Sequence, residues 1–234
     1  MKKLNLILSS IFIAIELALL IAIQSTSNNN AIPILEYISI VLCFAFSIIF
    51  VRGKLNYLLS LGLFATVMAD TFLVMVTPQQ KLVGMIFFLT SQIFYCAYII
   101  SKTKNNKLNI INLAIRIVGS ILVGILVYIV LKDKCDALSL ISCIYLLNEI
   151  LNLIFSFFTT SQNILFSIGF MLFLVCDIFI GLSVGNGAYI TINATFASLI
   201  SNGLLAWAFY IPSQTLIALQ STQAKTSEAN NENS

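Results

Sequence analysis

Apolar residues run in eight long stretches, at about 4–24, 34–52, 57–76, 82–101, 109–131, 137–158, 164–184 and 194–219, separated by short polar connections. Each stretch is near the roughly 20 residues that cross a hydrocarbon core as a helix. The pattern predicts an all-α polytopic membrane bundle of eight transmembrane helices. Connections such as 24–33, 52–56, 77–81 and 159–163 are short, so consecutive helices should be antiparallel neighbours. Residues 1–219 read as the transmembrane domain. Residues 220–234, rich in Ser, Thr, Asn and Glu without an apolar period, read as a disordered tail.

Composition agrees with this pattern, with 59% hydrophobic and only 9% charged residues. A surface so poor in charge is solvated by lipid and not by water. With the N-terminus in the cytoplasm, Lys2, Lys3, Arg52, Lys54, Lys102, Lys104, Lys107 and Lys225 fall inside, against Lys81, Lys132 and Lys134 outside. The asymmetry predicts a plasma-membrane protein with both termini cytoplasmic. Met1-Lys2-Lys3 and the apolar run after it resemble a secretory leader, but no small-x-small cleavage site follows Ile23, so the run is read as a span.

The basic residues are scattered and form no patch interleaved with aromatics, which argues against nucleic acid as a partner. The five cysteines (Cys43, Cys96, Cys135, Cys143 and Cys176) lack CxxC spacing, and the chain has no histidine, so neither a metal site nor a cofactor is expected. No Gly-rich phosphate loop or hydrolase elbow is present either.

Polar residues inside the spans are then the informative ones, because each ionised group there must be neutralised, paired or hydrated. They are Glu16, Asp70, Arg116, Glu149 and Asp177, with the uncharged Gln92, Asn148, Asn152, Asn202 and Gln214. Met68-Ala69-Asp70-Thr71-Phe72-Leu73 in span three is matched by Val175-Cys176-Asp177-Ile178-Phe179-Ile180 in span seven, which runs in the same direction. Spans four and eight each carry a Tyr and a Gln as well. The match predicts two four-helix halves related as parallel repeats, with Asp70 and Asp177 at one depth.

Two carboxylates in one low-dielectric site do not both ionise cheaply, which leaves a protonated acid beside an ionised base. That suits acid–base catalysis, and equally a proton or cation site. Gly169, Phe173, Asp177 and Gly181 share a helix face, so the glycines would admit a helix or a substrate close to Asp177. Tyr145, Asn148, Glu149, Asn152 and Ser156 draw one polar stripe along span six, and Ser198, Asn202, Tyr210 and Gln214 a second along span eight, where Pro212 frees a backbone carbonyl. Either stripe can line a cavity or bond one helix to another. Arg116 is expected to snorkel to phosphates or to pair with Glu16 or Glu149.

Four stretches resemble the YhhN-like lysoplasmalogenase family. Ala69-Asp70-Thr71-Phe72-Leu73 is similar to its Gly-Asp-x-x-Leu, and Phe88 to Tyr95 to its Phe-x-x-x-His-x-x-Tyr, with Gln92 in place of the histidine. Gly169 to Asp177 is similar to its Gly-x-x-x-Phe-x-x-Ser-Asp, with Cys176 in place of serine, and Tyr210, Gln214, Leu216 and Ile217 to its closing Tyr-x-x-x-Gln-x-Leu-Ile. The resemblance implies eight spans and a hydrolase of the vinyl ether bond of lysoplasmalogens, with lysophospholipid and membrane lipid as partners and no cofactor. It makes Asp70 and Asp177 the catalytic pair and gives Gln92, Tyr95, Tyr145, Asn148, Glu149, Tyr210 and Gln214 the substrate-binding role. Gln92 hydrogen-bonds but does not shuttle a proton near neutral pH, which leaves the chemistry to the aspartates. Paired intramembrane acids in parallel halves also fit a small proton-coupled transporter or a lipid-binding membrane protein.

Overall fold

The computed structural model describes residues 2–26, 28, 30–50, 54–158, 164–185, 191, 193–201 and 203–231. Asn202, Arg52, the 159–163 connection and the last three residues lie outside them, as do the side chains of Lys2, Lys3, Lys54 and Lys225. The described residues form helices α1 (Lys2–Ser25), α2 (Ala31–Ile49), α3 (Lys54–Asp70), α4 (Lys81–Lys102), α5 (Asn106–Leu131), α6 (Ala137–Phe157), α7 (Ile164–Gly185), α8 (Ala194–Ser201) and α9 (Leu204–Asn231). Short caps set some of the boundaries. Asn105 accepts from the amides of Lys107 and Leu108 to start α5, and Asp136 accepts from Ser139 to start α6.

Seven of these helices are long and apolar enough to cross a membrane among the described residues, and the chain is a multi-pass membrane protein. The eighth apolar stretch is present but broken. Gly203, at φ 75°, separates α8 from α9 in a left-handed conformation that glycine adopts without strain. At the other end of α9 the boundary drawn at Leu219 shifts. The helix continues to Asn231, and Gln220 and Ser221, assigned by sequence to a disordered tail, are buried. Gln220 Nε2 donates to Tyr98 Oη at 3.3 Å, which ties this turn to α4.

The packing has an order that composition does not reveal. α2, α3, α4, α6, α7 and α9 each touch the next, and α9 returns to α2, so six helices close a ring. α1 packs outside the ring against α2 and α9, and α5 packs outside it against α6. α5 is inverted in character. The residues α5 buries are Asn112, Arg116 and Val127, while Ile110, Ile117, Ile121, Leu122 and Ile129 lie exposed, as lipid contact requires.

Contacts repeat around the ring. Asp177 follows Asp70 by 107 positions, and the same interval takes Ser60 to Ser167 and Gly62 to Gly169. The related residues do related things. Ser47 on α2 bonds Ser60 on α3 at 3.0 Å, and Ser156 on α6 bonds Ser167 on α7 at 2.8 Å. Each glycine lies under a close neighbour: an added Cβ at Gly62 would strike the Tyr95 ring, and one at Gly169 would sit 2.9 Å from Ile217 Cγ1 and 3.0 Å from the Ser213 carbonyl oxygen.

Each outer helix further sends one buried charged side chain to a pair of residues four apart on the next helix. Glu16 on α1 accepts from Ser39 Oγ at 2.5 Å and Cys43 Sγ at 3.6 Å on α2. Arg116 on α5 donates to Asn148 and Asn152 on α6. One side chain is a carboxyl and the other a guanidinium, and their partners act accordingly as donors to the first and acceptors from the second.

Candidate active site

Asp70 is the last α-helical residue of α3. Immediately after it, residues Thr71–Met75 widen into a π turn, closed by the Val76 amide on the Thr71 carbonyl at 2.9 Å. Such turns shift a helix's register by one residue and recur at functional sites. Here the turn is pinned from two sides, by Tyr37 Oη against Thr71 Oγ1 at 3.0 Å and by Gly84, whose missing Cβ leaves room for Leu73. Asp70 is 3% exposed, and Tyr210 Oη of α9 donates to its Oδ2 at 2.7 Å.

Across from it, Asp177 on α7 has Glu149 and Tyr145 of α6 as electrostatic neighbours, and Asp70 also lies within reach of Asp177. Four rings stand between and around the two acids. Phe88 meets Tyr145 at 5.7 Å, Phe173 at 6.1 Å and Tyr210 at 6.4 Å, and Phe173 meets Tyr210 at 5.4 Å between ring centroids. The aspartates of spans three and seven therefore share one aromatic-walled region, fed by α3, α4, α6, α7 and α9. Their surroundings differ: Asp70 is closed in and bonded, whereas Asp177 is half-buried.

The glycines on the Asp177 face divide. Gly169 marks the tight approach of α7 to α9, while nothing lies within 4 Å of a Cβ built on Gly181. Close approach at one end and open space at the other leave Asp177 beside the looser part of the α7 face.

Several buried polar atoms here have no hydrogen-bond partner among the described residues: Gln92 Nε2, Tyr95 Oη, Tyr145 Oη, both carboxyl oxygens of Glu149, Asp177 Oδ2 and Gln214 Oε1. All belong to α4, α6, α7 and α9. Tyr145 and Glu149 stand against Asp177, and Tyr95 against Thr66, so these side chains serve one another in part, while Gln92 Nε2 and Gln214 Oε1 are buried polar atoms of the kind that folded proteins rarely leave open.

Of the residues expected to bind substrate, Tyr145, Glu149 and Tyr210 stand around the aspartates, and Gln92 and Gln214 are fully buried on the neighbouring helices. Two are placed otherwise. Asn148 is committed to Arg116, which donates to its Oδ1 at 2.9 Å, and its Nδ2 donates to the Ile144 carbonyl at 2.9 Å. Tyr95 packs over Gly62 and against Phe166 and Phe170, at 5.9 and 5.3 Å between ring centroids.

Arg116 itself departs from expectation. It neither snorkels nor pairs with Glu16 or Glu149; it is buried, and its Nε, Nη1 and Nη2 donate to Asn112 Oδ1 at 2.8 Å, Asn148 and Asn152 Oδ1 at 2.7 Å. A guanidinium offers five N–H groups and accepts nothing, so amide oxygens satisfy it without a carboxylate.

One acid escaped the sequence reading. Glu36 on α2 is 6% exposed and lies close enough to Asp70 to act on it electrostatically. The signal that would have found it is the Glu36, Ser39, Ile40, Cys43, Ser47 spacing, which runs along one helix face.

The YhhN family's sequence profile matches residues 31–221, a span that takes in every helix of the ring. No curated protein and no solved structure matches the chain.

Proposed function

The chain belongs to the YhhN family, and on that footing we propose that it is a membrane-embedded hydrolase that cleaves the vinyl ether bond of lysoplasmalogen-like lysophospholipids. The observation that carries the reading is the cluster of buried polar side chains on α4, α6, α7 and α9, which includes Asp177, lies beside Asp70 and is walled by aromatic rings. A lysophospholipid has the matching character, with an apolar chain for the rings and a glycerophosphate for the polar atoms.

In this scheme the enclosed Asp70, held by the Tyr210 hydroxyl, gives its proton to the vinyl carbon remote from oxygen. The carbon bonded to oxygen becomes an oxocarbenium centre. Asp177 takes a proton from the water that adds there. The resulting hemiacetal breaks its bond to the glycerol oxygen, releasing a fatty aldehyde and a glycerophospho-alcohol. One water is consumed, and both carboxyls regain their starting states once the proton on Asp177 returns to Asp70. Gln92, Tyr145, Glu149 and Gln214 bind and orient the substrate. The bias of Lys and Arg supports an orientation with both termini in the cytoplasm.

The test is aldehyde release from lysoplasmalogen by purified protein in liposomes, repeated with Asp70→Asn and Asp177→Asn. Each substitution is expected to lower the rate by roughly 10²–10⁴, the usual contribution of a positioned general acid or base. Activity untouched by both would refute the mechanism. The parallel halves also suit transport, and movement of lysophospholipid across the liposome membrane without aldehyde would replace this reading with that one.

A further inference from the structure

The bonds around Arg116 continue into the candidate site. Arg116 Nη2 donates to Asn152 Oδ1 at 2.7 Å, and Asn152 Nδ2 donates to Gln92 Oε1 at 2.8 Å and to the Gln92 carbonyl at 3.0 Å. Each link dictates the next. A guanidinium only donates, so the Asn152 amide must turn its oxygen to Arg116 and its nitrogen to Gln92. The Gln92 amide must then turn its oxygen to Asn152, which leaves Nε2 as the outward end. That nitrogen is fully buried and has no partner among the described residues.

The other half of the fold supplies an internal control. Glu16 is held by Ser39 and Cys43, and Cys43 in turn faces Thr215 of α9, as Asn152 faces Gln92 of α4. Thr215 ends that chain by donating to the Ile211 carbonyl at 2.8 Å. The two halves pack alike, so packing alone is served by a closed chain. Only the chain through Arg116 ends on an open donor, next to the helix turn that carries Phe88 into the aromatic walls.

We propose that Arg116, acting through Asn152, fixes which way the Gln92 amide faces and so presents its NH₂ group to an acceptor oxygen of a bound lysophospholipid, in its phosphate or its glycerol. Arg116 and Asn152 are positioning residues, and Gln92 makes the contact. The proposal rests on the site being a lysophospholipid site but not on hydrolysis taking place there.

Asn152→Asp tests it. A carboxylate keeps the bond to Arg116 but has no N–H for Gln92, so the Gln92 amide must reverse and offer the ligand an oxygen. The probe is a 1-O-alkyl lysophospholipid, whose saturated ether the proposed chemistry leaves intact, titrated against the protein in nanodiscs. Trp207 reports binding: it is the only tryptophan and packs 5.0 Å from the ring of Tyr210.

Asn152→Asp and Gln92→Met are each expected to weaken binding by roughly tenfold or more, and the double variant no more than either alone, because both act on one contact. Thermal midpoints near the wild-type value separate this from misfolding. Wild-type affinity in Asn152→Asp, fully additive losses in the double variant, or no binding by the wild type would each overturn the proposal. A 2-deoxy form of the probe separates the sources of the oxygen: if Asn152→Asp still weakens its binding, the acceptor is the phosphate, and if it does not, the glycerol hydroxyl. Wild-type binding without aldehyde release from lysoplasmalogen would remove the hydrolase reading and leave this contact standing.

Discussion

Gly169 and Gly181 both lie on α7, yet alanine should be costly at the first and nearly neutral at the second. At Gly169 the new Cβ falls 2.9 Å from Ile217 Cγ1, 3.0 Å from the Ser213 carbonyl oxygen and 3.4 Å from the Ile217 amide nitrogen. Carbon contacts are ordinary only from about 3.5 Å. Ile217 and Ser213 are fully buried, and two of the three obstructing atoms are backbone, so no side-chain rotation relieves the clash. α7 and α9 must separate by several tenths of an ångström, which overpacking data put at about 1–3 kcal/mol.

The usual gain of about 0.5–1 kcal/mol from replacing glycine in a helix is a weak offset here, because membrane helices stay helical when they dissociate. Gly181→Ala meets nothing within 4 Å and should stay within about 0.5 kcal/mol of the parent. Unfolding in mixed micelles by added dodecyl sulfate, followed through Trp207 fluorescence, gives both values. Equal stability of Gly169→Ala and the parent, or greater damage from Gly181→Ala, would show that the close approach of α7 and α9 has been misjudged.

Three further outcomes are expected. Tyr210→Phe removes the donor to Asp70, and aldehyde release should fall by about 10- to 100-fold with little change in KM; a change confined to KM would assign Tyr210 to substrate binding alone. Ser39→Ala should destabilise the fold by about 1–2 kcal/mol by stripping a buried carboxyl oxygen of Glu16, while the double variant with Glu16→Leu should recover most of that loss, since both partners are then apolar; unfolding in micelles decides. At the start of α6 the Ser139 hydroxyl and amide hold Asp136 below the usual carboxylate range. The cap is therefore fully present above the ordinary value near 3.8 and lost only as the pH falls through the depressed one. Hydrogen exchange at the Ser139 amide should show this loss, and Asp136→Asn should abolish its pH dependence.

Much of the architecture was legible because lipid imposes a simple rule: apolar stretches of about 20 residues cross, and short connections make neighbours antiparallel. The parallel halves showed in Asp70 and Asp177. The matching pairs Ser60 with Ser167 and Gly62 with Gly169 are too plain a residue type to notice before the contacts are known. The break in the eighth stretch was signalled by Asn202-Gly203, a turn dipeptide inside an apolar run, but the length of the run masked it.

The partner of Arg116 was misjudged for a chemical reason. Opposite charge is the obvious match, yet a donor-only group is satisfied as well by the amide oxygens of Asn112, Asn148 and Asn152; the stripe with Asn148 and Asn152 fitted a cavity lining as well as a helix-to-helix bond, and Asn112 did not stand out. Nothing in the residues announced the π turn after Asp70, because it arises from how α3 meets α4 and α2 and from no local propensity.

The hydrogen bond from Tyr210 to Asp70 joins positions 140 apart in the chain. During synthesis Asp70 enters the bilayer while its partner has yet to be translated, and α9, the last ring helix to emerge, is the one that seats against both α2 and α7. A nascent chain halted before α9 would hold the acid without its phenol, in a ring missing one stave. The site is thus assembled in a single late step, and maturation of the protein should depend on delivery of its final crossing.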